Sequence, residues 1–364
     1  MRLLFITSIP SPYRVDFFNA LGKLCPLEVL FESHSDPECH FNLYPDEALR
    51  FPHRFLSLCS SHRTFLPRGV WAGLTARCDR LIIHTWHTRT ETTLLILLRL
   101  LRRPYWIETD GNLLNPAEGR LKRLFKRFLL GGAEGYFSPN AGTDQYLQHY
   151  GAQPERIHRY SFTSISDADV LPRLTTMEKR RQLRERLQIP VDAPVIISVG
   201  QFIHRKGFDI LLNAMAGLSV TDAHLYIIGG KPTDEYLRQR ERLHLTERVH
   251  FVGYCSKSEL ADYYQSADLF VLPTREDIWG LVINEAMAYG LPVITTDHCQ
   301  AGLTMLDSQE HTIVPTEDAE SLRASIGTLL TDATLRQTLS QRNLDYTRQH
   351  TIEAMAREHA QQLR

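Results

Sequence analysis

Short apolar runs alternate along the chain with longer stretches in which apolar residues return every three or four positions. The short runs are Leu3–Thr7, Leu27–Phe31, Arg80–Ile83, Pro104–Ile107 and Gly135–Ser138, then Pro194–Val199, Ala223–Ile228, Val249–Val252, Leu269–Leu272 and Pro292–Thr295. Such runs suit strands covered on both faces of a parallel sheet. Between them the periodicity predicts helices over Arg14–Leu24, Glu91–Leu101, Arg120–Leu130, Ala141–Tyr150 and Glu178–Leu187. In the first of these, Val15, Phe18 and Leu21 share one face. Thr334–Gln362 reads as a polar helical tail. Strand and helix in alternation is the mark of βαβ units and an α/β protein. The polar, aperiodic stretch Ser164–Thr176 parts two successive α/β halves and reads as a linker. No repeat of solenoid period interrupts the pattern.

A length of 364 residues exceeds one ordinary core and suits two domains. Apolar residues at 43% and charged residues at 23% are those of a soluble globular chain. The net charge of −1 gives no global attraction for nucleic acid. Its distribution is uneven: residues 1–170 carry 20 Lys+Arg against 17 Asp+Glu, and the remainder 21 against 25. The six cysteines (Cys25, Cys39, Cys59, Cys78, Cys255, Cys299) are scattered and read as reduced thiols. The opening MRLLFITSIPSPYR is broken by prolines too early for a signal peptide. No run approaches the roughly 18–20 apolar residues of a spanning helix. Leu94–Leu98, the longest, is followed at once by Arg99, Arg102 and Arg103. These features predict a cytoplasmic protein, with a peripheral place at the inner face of a membrane left open.

Ligands in open α/β sheets sit where strand ends feed helix N-termini, and four such places in the second half carry suggestive residues. Gly200 to Gly207 (GQFIHRKG) puts Arg205 and Lys206 beside a turn glycine, which suits a diphosphate or else is a solvated basic pair. Gly229 and Gly230 follow a strand, as phosphate-approaching backbone or as a plain turn. Gly253 and Tyr254 precede Ser256 and Glu259, a capping box. The fourth place is Thr274–Pro292, where Glu276 and Asp277 precede Gly280 and Glu285 lies inside the following helix. Two carboxylates spaced in this way can hold hydroxyls at two ends of an extended ligand, with the amides near Gly280–Val282 facing its phosphates. The helix dipole explains acids at a helix start, but not Glu285.

This passage resembles the signature of family 4 retaining glycosyltransferases (glycosyl transferases group 1), in which seven residues separate two acids. The order G-x-F-x-x-[RK]-K-G, I-I-G-G, F-x-G-Y, E-D-x-W-G-L-V-x-N-E-A-M-A-x-G-x-P-V-I across residues 195–330 resembles the same family. A fainter likeness covers Pro10–Arg14 and Glu108–Gly111. The resemblance implies a GT-B fold: two Rossmann-like, doubly wound α/β domains facing across a cleft, with the C-terminal helix crossing back to the first. The expected division is an acceptor-binding domain over 1–165, a linker over 166–176, a nucleotide-sugar domain over 177–345 and a crossing helix over 346–364. In that last segment Ile352, Met355, Ala356 and His359 form the packing stripe.

By the same resemblance Lys206, helped by Arg205, neutralises the donor diphosphate and Glu285 takes the ribose hydroxyls. Gly200, Gly229, Gly253 and Tyr254 frame phosphate and base, while Asp277 and Trp279–Val282 (Trp279, Gly280, Leu281, Val282) meet the sugar and β-phosphate. The implied reaction is transfer with retention, without metal or other cofactor, from a UDP- or GDP-linked sugar to a glycan or lipid-linked acceptor in capsule, exopolysaccharide or lipopolysaccharide assembly. Three departures bear on it. The first acid is Asp277 in place of Glu, with Glu276 alongside. Gln201 stands where the family has Arg. Pro10, Ser11 and Pro12 replace the paired glycines of the first loop. Asp167-Ala168-Asp169 is a literal D-x-D, but it falls in the linker.

In the first half, acceptor-side candidates follow strands: Pro12, Tyr13 and Arg14, His84 and His87 flanking Trp86, then Glu108 and Asp110. Asp110 is the candidate base or acceptor-orienting group. The helix Arg120–Leu130 combines an apolar stripe (Leu121, Leu124, Phe125, Phe128, Leu129) with Arg120, Lys122, Arg123, Lys126 and Arg127. The stripe is expected in the core, and the basic face can meet an anionic membrane. A nucleotide-sugar epimerase or a non-catalytic sugar-nucleotide binder would share the fold. An epimerase turns over donor without acceptor, and a degenerate binder retains donor without transfer. No G-x-G-x-x-G supports a dinucleotide oxidoreductase.

Overall fold

A computed structural model describes residues 1–35, 46–59, 63–115, 117–306 and 311–364. Cys39 lies outside them. Packing divides the chain into one unit of residues 1–166 with 350–364, and a second of residues 167–349.

The first unit runs β1 (Leu3–Thr7), α1 (Pro12–Leu21), β2 (Leu27–Phe31), β3 (His53–Phe55), α2 (Pro67–Thr75), β4 (Arg80–His84), α3 (Arg89–Leu100), β5 (Trp106–Glu108), α4 (Arg120–Leu130), β6 (Gly135–Ser138), α5 (Ala141–His149) and β7 (Ile157–Arg159). Among the described residues these strands form a parallel sheet in the order β3-β2-β1-β4-β5-β6-β7. Every residue of β1 is buried, as a strand with helices on both faces requires. Leu94, Leu95 and Leu98 of α3 pack with Leu129, Leu130 and Leu147 over one face.

Helix α1 starts two residues before the predicted Arg14, because Pro12 at its first position has the fixed φ a helix start needs. It stops at Leu21. Helix α3 opens on a capping box in which Thr88 and Glu91 bond reciprocally. The strands β3 and β7 went unpredicted, since three residues show too little alternation.

The second unit runs α6 (Met177–Leu187), β8 (Val195–Val199), α7 (Phe208–Ala216), β9 (His224–Ile228), α8 (Asp234–Arg242), β10 (Val249–Val252), α9 (Lys257–Ser266), β11 (Leu269–Leu272), α10 (Leu281–Ala288), β12 (Val293–Thr296), α11 (Gln300–Met305), β13 (Ile313–Val314), α12 (Ala319–Thr331) and α13 (Ala333–Gln349). Its parallel sheet has the order β10-β9-β8-β11-β12-β13. The predicted capping box holds: Ser256 Oγ accepts from Glu259 N (3.3 Å) and Glu259 accepts from Ser256 N (2.7 Å). The stretch read as a linker is fastened to this unit. Leu171 N donates to Ala288 O (3.1 Å), Arg348 donates to Pro172 O (2.7 Å) and Asp169 pairs with Lys257 (2.7 Å).

The helical tail is two helices. After α13, Thr351 caps α14 (Ile352–Gln362), which rejoins the first unit. There the fully buried His359 ring stacks on Phe137 at 4.1 Å and meets Phe17 edge-on at 4.8 Å.

One expectation fails. The stripe on α4 is not in the core: Leu121 is 84% exposed, Leu124 63%, and Phe125 and Phe128 are also exposed. Only Leu129 and Leu130, in the last turn, are buried. Sequence periodicity marks a two-sided helix without saying what faces its apolar side. Lys126 leaves the basic face too, since it pairs with Glu118 (2.7 Å) and lies over the Tyr150 ring (4.9 Å).

Candidate functional site

In the second unit the strand order turns at β8 and β11, the neighbours at which ligands of open α/β sheets bind. The loops after these two strands are tied together. Arg275 N and Thr274 Oγ1 both donate to Arg205 O, at 2.8 and 2.9 Å. Gly207 makes the tie possible: its φ is +69°, and a Cβ there would stand 1.9 Å from Pro273 O. The turn delivers Lys206 Nζ to Asp277 Oδ2 at 2.6 Å, with Arg205 3.5 Å from the same oxygen. Arg205 also donates to Glu276 O (2.8 Å), and the Glu276 side chain is exposed.

From this pair the other sequence candidates follow in contact order. The Lys206 side chain passes beside Gly200, Gly229 abuts the Gly200 carbonyl, and the Tyr254 ring lies over Gly230. Tyr254 is 75% exposed, a free aromatic face at the ends of β9 and β10, where Gly253 is also exposed. On the other side Gly280 opens α10 at φ +106°, a conformation that favours glycine, and no side chain caps it. The first amides of the helix at Leu281 and Val282 therefore carry the positive dipole end beside Asp277.

Glu285 is the fifth residue of α10, about one and a half turns past Gly280. Tyr264 donates to it at 2.9 Å. Burial pushes its carboxyl up to about 7, against the pull of Tyr264 and Lys257. Trp279 departs from the expected contact role: its side chain is buried and its indole donates to Asn284 at 2.8 Å, leaving backbone only.

Sequence reasoning missed three supports here: Tyr264, Asn284 and Arg275. Arg275 grips both oxygens of Asp209 (2.8 and 2.7 Å) and pairs with Glu317. Tyr264 sits on α9 and its ring stacks on Tyr289 of α10's C-cap at 5.3 Å. No spacing in the sequence announces such partners.

In the first unit the candidates meet at the ends of β1, β4 and β5. Arg14, 1% exposed, donates to Glu108 Oε1 (2.5 Å) and to Asp110. Tyr13 donates to Asp110, and His84 lies 3.2 Å from Asp110 and 3.3 Å from Thr7 Oγ1. Burial alone would raise Asp110, but Arg14, His84 and Tyr13 outweigh it and hold the carboxyl well below its usual range. Glu108 falls to about 2 in the same way, against its burial, through Arg14 and His359.

A carboxylate so held is a weak proton acceptor, so the geometry favours the orienting role for Asp110 over that of base. Pro12 serves as the helix start, and His87 is exposed. The missed members are His359 of α14, 3.6 Å from Glu108, and Tyr160, which donates to Thr109 O (2.9 Å). A second acid pair at this edge was also missed. Glu32 accepts from Thr88 Oγ1 (2.7 Å) and Glu91 from Thr85 Oγ1 (2.8 Å); burial raises both.

Two parallel-sheet units of this order define the GT-B fold. The chain resembles the solved structure of Anabaena HepE in complex with UDP, with a TM-score of 0.78 at 16% identity over 99% of each chain. Residues 179–345 match the family described as glycosyl transferases group 1, and the chain carries a domain of that family. The chain is 32% identical over 160 residues to the lipopolysaccharide core biosynthesis glycosyltransferase LpsE of Rhizobium meliloti, covering 44% of this chain and 46% of LpsE. It is 34% identical over 165 residues to a GDP-mannose-dependent phosphatidylinositol monomannoside mannosyltransferase of Mycolicibacterium smegmatis, covering 43% of each. The chain spans less than half the length of these curated relatives.

Proposed function

We propose that the protein is a retaining, metal-independent glycosyltransferase that moves a sugar from a UDP- or GDP-linked donor to a glycan or lipid-linked acceptor of a cell-surface polysaccharide. The observation that carries this reading is the Lys206–Asp277 pair at the uncapped start of α10, with Glu285 further along the same helix. Lys206 and the α10 amides neutralise the donor diphosphate, and Glu285 accepts from the ribose hydroxyls. Tyr254 offers a face to the base. Asp277, with Glu276 beside it, orients the sugar.

As the bond from the anomeric carbon to the diphosphate oxygen breaks, its electron pair stays on that oxygen, where Lys206 stabilises it. The acceptor hydroxyl attacks the same face and its proton passes to the departing diphosphate. The Asp110 group orients the acceptor. Asp169 of the D-x-D is engaged with Lys257. The names of LpsE and the mannosyltransferase support a cell-envelope acceptor, and UDP in HepE supports a UDP donor. Such work belongs in the cytoplasm, with a lipid-linked acceptor bringing Arg120, Lys122, Arg123 and Arg127 to the inner face of a membrane.

The test is thermal shift against UDP-, GDP-, ADP-, CMP- and dTDP-sugars without metal. Ligand at about 100 times its dissociation constant contributes about 2.7 kcal/mol. A shift with UDP- or GDP-sugar that Glu285→Ala abolishes supports the reading. No shift with either overturns it. Donor turnover in the absence of any acceptor would mark an epimerase instead.

A further inference from the structure

Asp169, in the segment that joins the two units, pairs with Lys257 at 2.7 Å, and Lys257 is the first residue of α9. A cation at a helix start meets the positive end of the dipole, so helix energetics alone disfavour lysine there. Seven residues further along, on the same face of α9, Tyr264 donates to Glu285 at 2.9 Å. The joining segment is laid along α10 as well. Leu171 N donates at 3.1 Å to the carbonyl of Ala288, just under one turn beyond Glu285. Asp169 therefore stands two residues from a fixed point on the helix that carries Glu285.

Electrostatics place the pair in the same spot. Asp169 opposes ionisation of both Glu285 and Tyr289, whereas Lys257 favours the Glu285 anion. The groups that face Glu285 are thus Tyr264 and Lys257 of α9, Asp169 of the joining segment and Tyr289 of α10 itself. Lys257 is the one cation in that set, and Asp169 holds it.

We propose that Asp169 and Lys257 are positioning residues for the donor ribose: their pair pins the joining segment beside Glu285 and balances the charge on that carboxylate, which the ribose hydroxyls need as an anion. This role rests on the donor-site reading of Glu285 and adds to it two residues that act through Glu285. Donor affinity near neutral pH is thereby tied to the segment by which the chain enters the second unit.

Calorimetry with UDP-glucose and GDP-mannose between about pH 5.5 and 8.5 tests the proposal. Wild-type affinity should rise with pH around the Glu285 midpoint of about 7. Lys257→Met should move the midpoint up by about half a unit and weaken binding about threefold at about pH 6. Asp169→Asn should move it down by as much and tighten binding about threefold there. Lys257 is 66% exposed, and solvent screening keeps both shifts small. The double variant should fall between the two. A mere tether would weaken binding in both single variants at every pH. That result, superposed profiles, or shifts of one sign would overturn the proposal. The Glu285 titration is also read without donor, by carbon NMR of labelled glutamate assigned with Glu285→Gln. Opposite shifts there with no donor binding at any pH remove only the transferase reading. Intact donor binding with unmoved titrations removes only the role of the pair.

Discussion

At the strand ends of the first unit, Arg14 is enclosed by the carboxylates of Glu108 and Asp110, with His84, Tyr13 and His359 around them. At the strand ends of the second, Lys206 and Arg205 share the single carboxylate of Asp277, beside a helix start that no side chain caps. The same topology has produced a closed charge network in one place and an open one in the other. A closed network keeps its cation enclosed between buried carboxylates and serves to hold residues still. An open one keeps surplus positive potential for something that arrives from outside. Tyr254 and Glu276, both exposed beside the open network, fit that division.

The sharpest way to break the comparison is Arg14→Met. It leaves two buried carboxylates without their cation, and should cost about 3–5 kcal/mol in urea or thermal unfolding. The native Glu108 carboxyl, near 2, lies below its ordinary value, so its contribution is full above about pH 4.5 and lost as pH falls toward 2. The deficit of the variant should therefore shrink on acidification. A cost below about 1 kcal/mol at pH 7 would mean the network is not closed.

Next in size is Lys206→Ala, expected to lower kcat about 10²–10³-fold while circular dichroism stays native. Turnover within threefold of wild type removes the open network from the chemistry.

Glu285 gives the third test. Its carboxyl near 7 stands above the ordinary 4.5, so the folded state loses stability as pH rises from about 4.5 through 7. Glu285→Gln removes that loss and should raise stability at pH 8 by about 2–3 kcal/mol. Wild-type donor affinity should move the other way and fall about tenfold from pH 8 to pH 6, because the ribose hydroxyls need the ionised acceptor. A variant both less stable and no weaker for donor would sink the assignment.

The smallest effect is expected from Tyr254→Ala. Calorimetry should show donor affinity about tenfold lower or less, with stability within about 0.5 kcal/mol. Unchanged affinity would take the ring out of the base site.

Much of the fold was legible because doubly covered strands such as Val195–Val199 are apolar but for one buried serine. What stayed hidden was short or long-range. The strands β3, β7 and β13 are too brief for any pattern. The α4 stripe looked like core because periodicity records amphipathicity and not the neighbour. In the second unit the loop residues were readable, since Gly200–Gly207 and Thr274–Glu285 are contiguous in sequence. In the first, Arg14, Glu108 and His359 come from distant stretches, and no local spacing tells that they cancel one another. The acid pair Glu32 and Glu91 stayed invisible for the same reason.

Helix α14 has a consequence for the order of assembly. The chain leaves the first unit after Ser166, builds the whole second unit, and returns only at His350. Until α14 emerges from the ribosome, Phe17, Phe137 and Tyr160 lack the ring of His359 that packs among them. Domains made first commonly fold first during synthesis. Here the unit begun first is the one finished last, so the second unit can be native on the nascent chain while its elder partner still waits with an unclosed core.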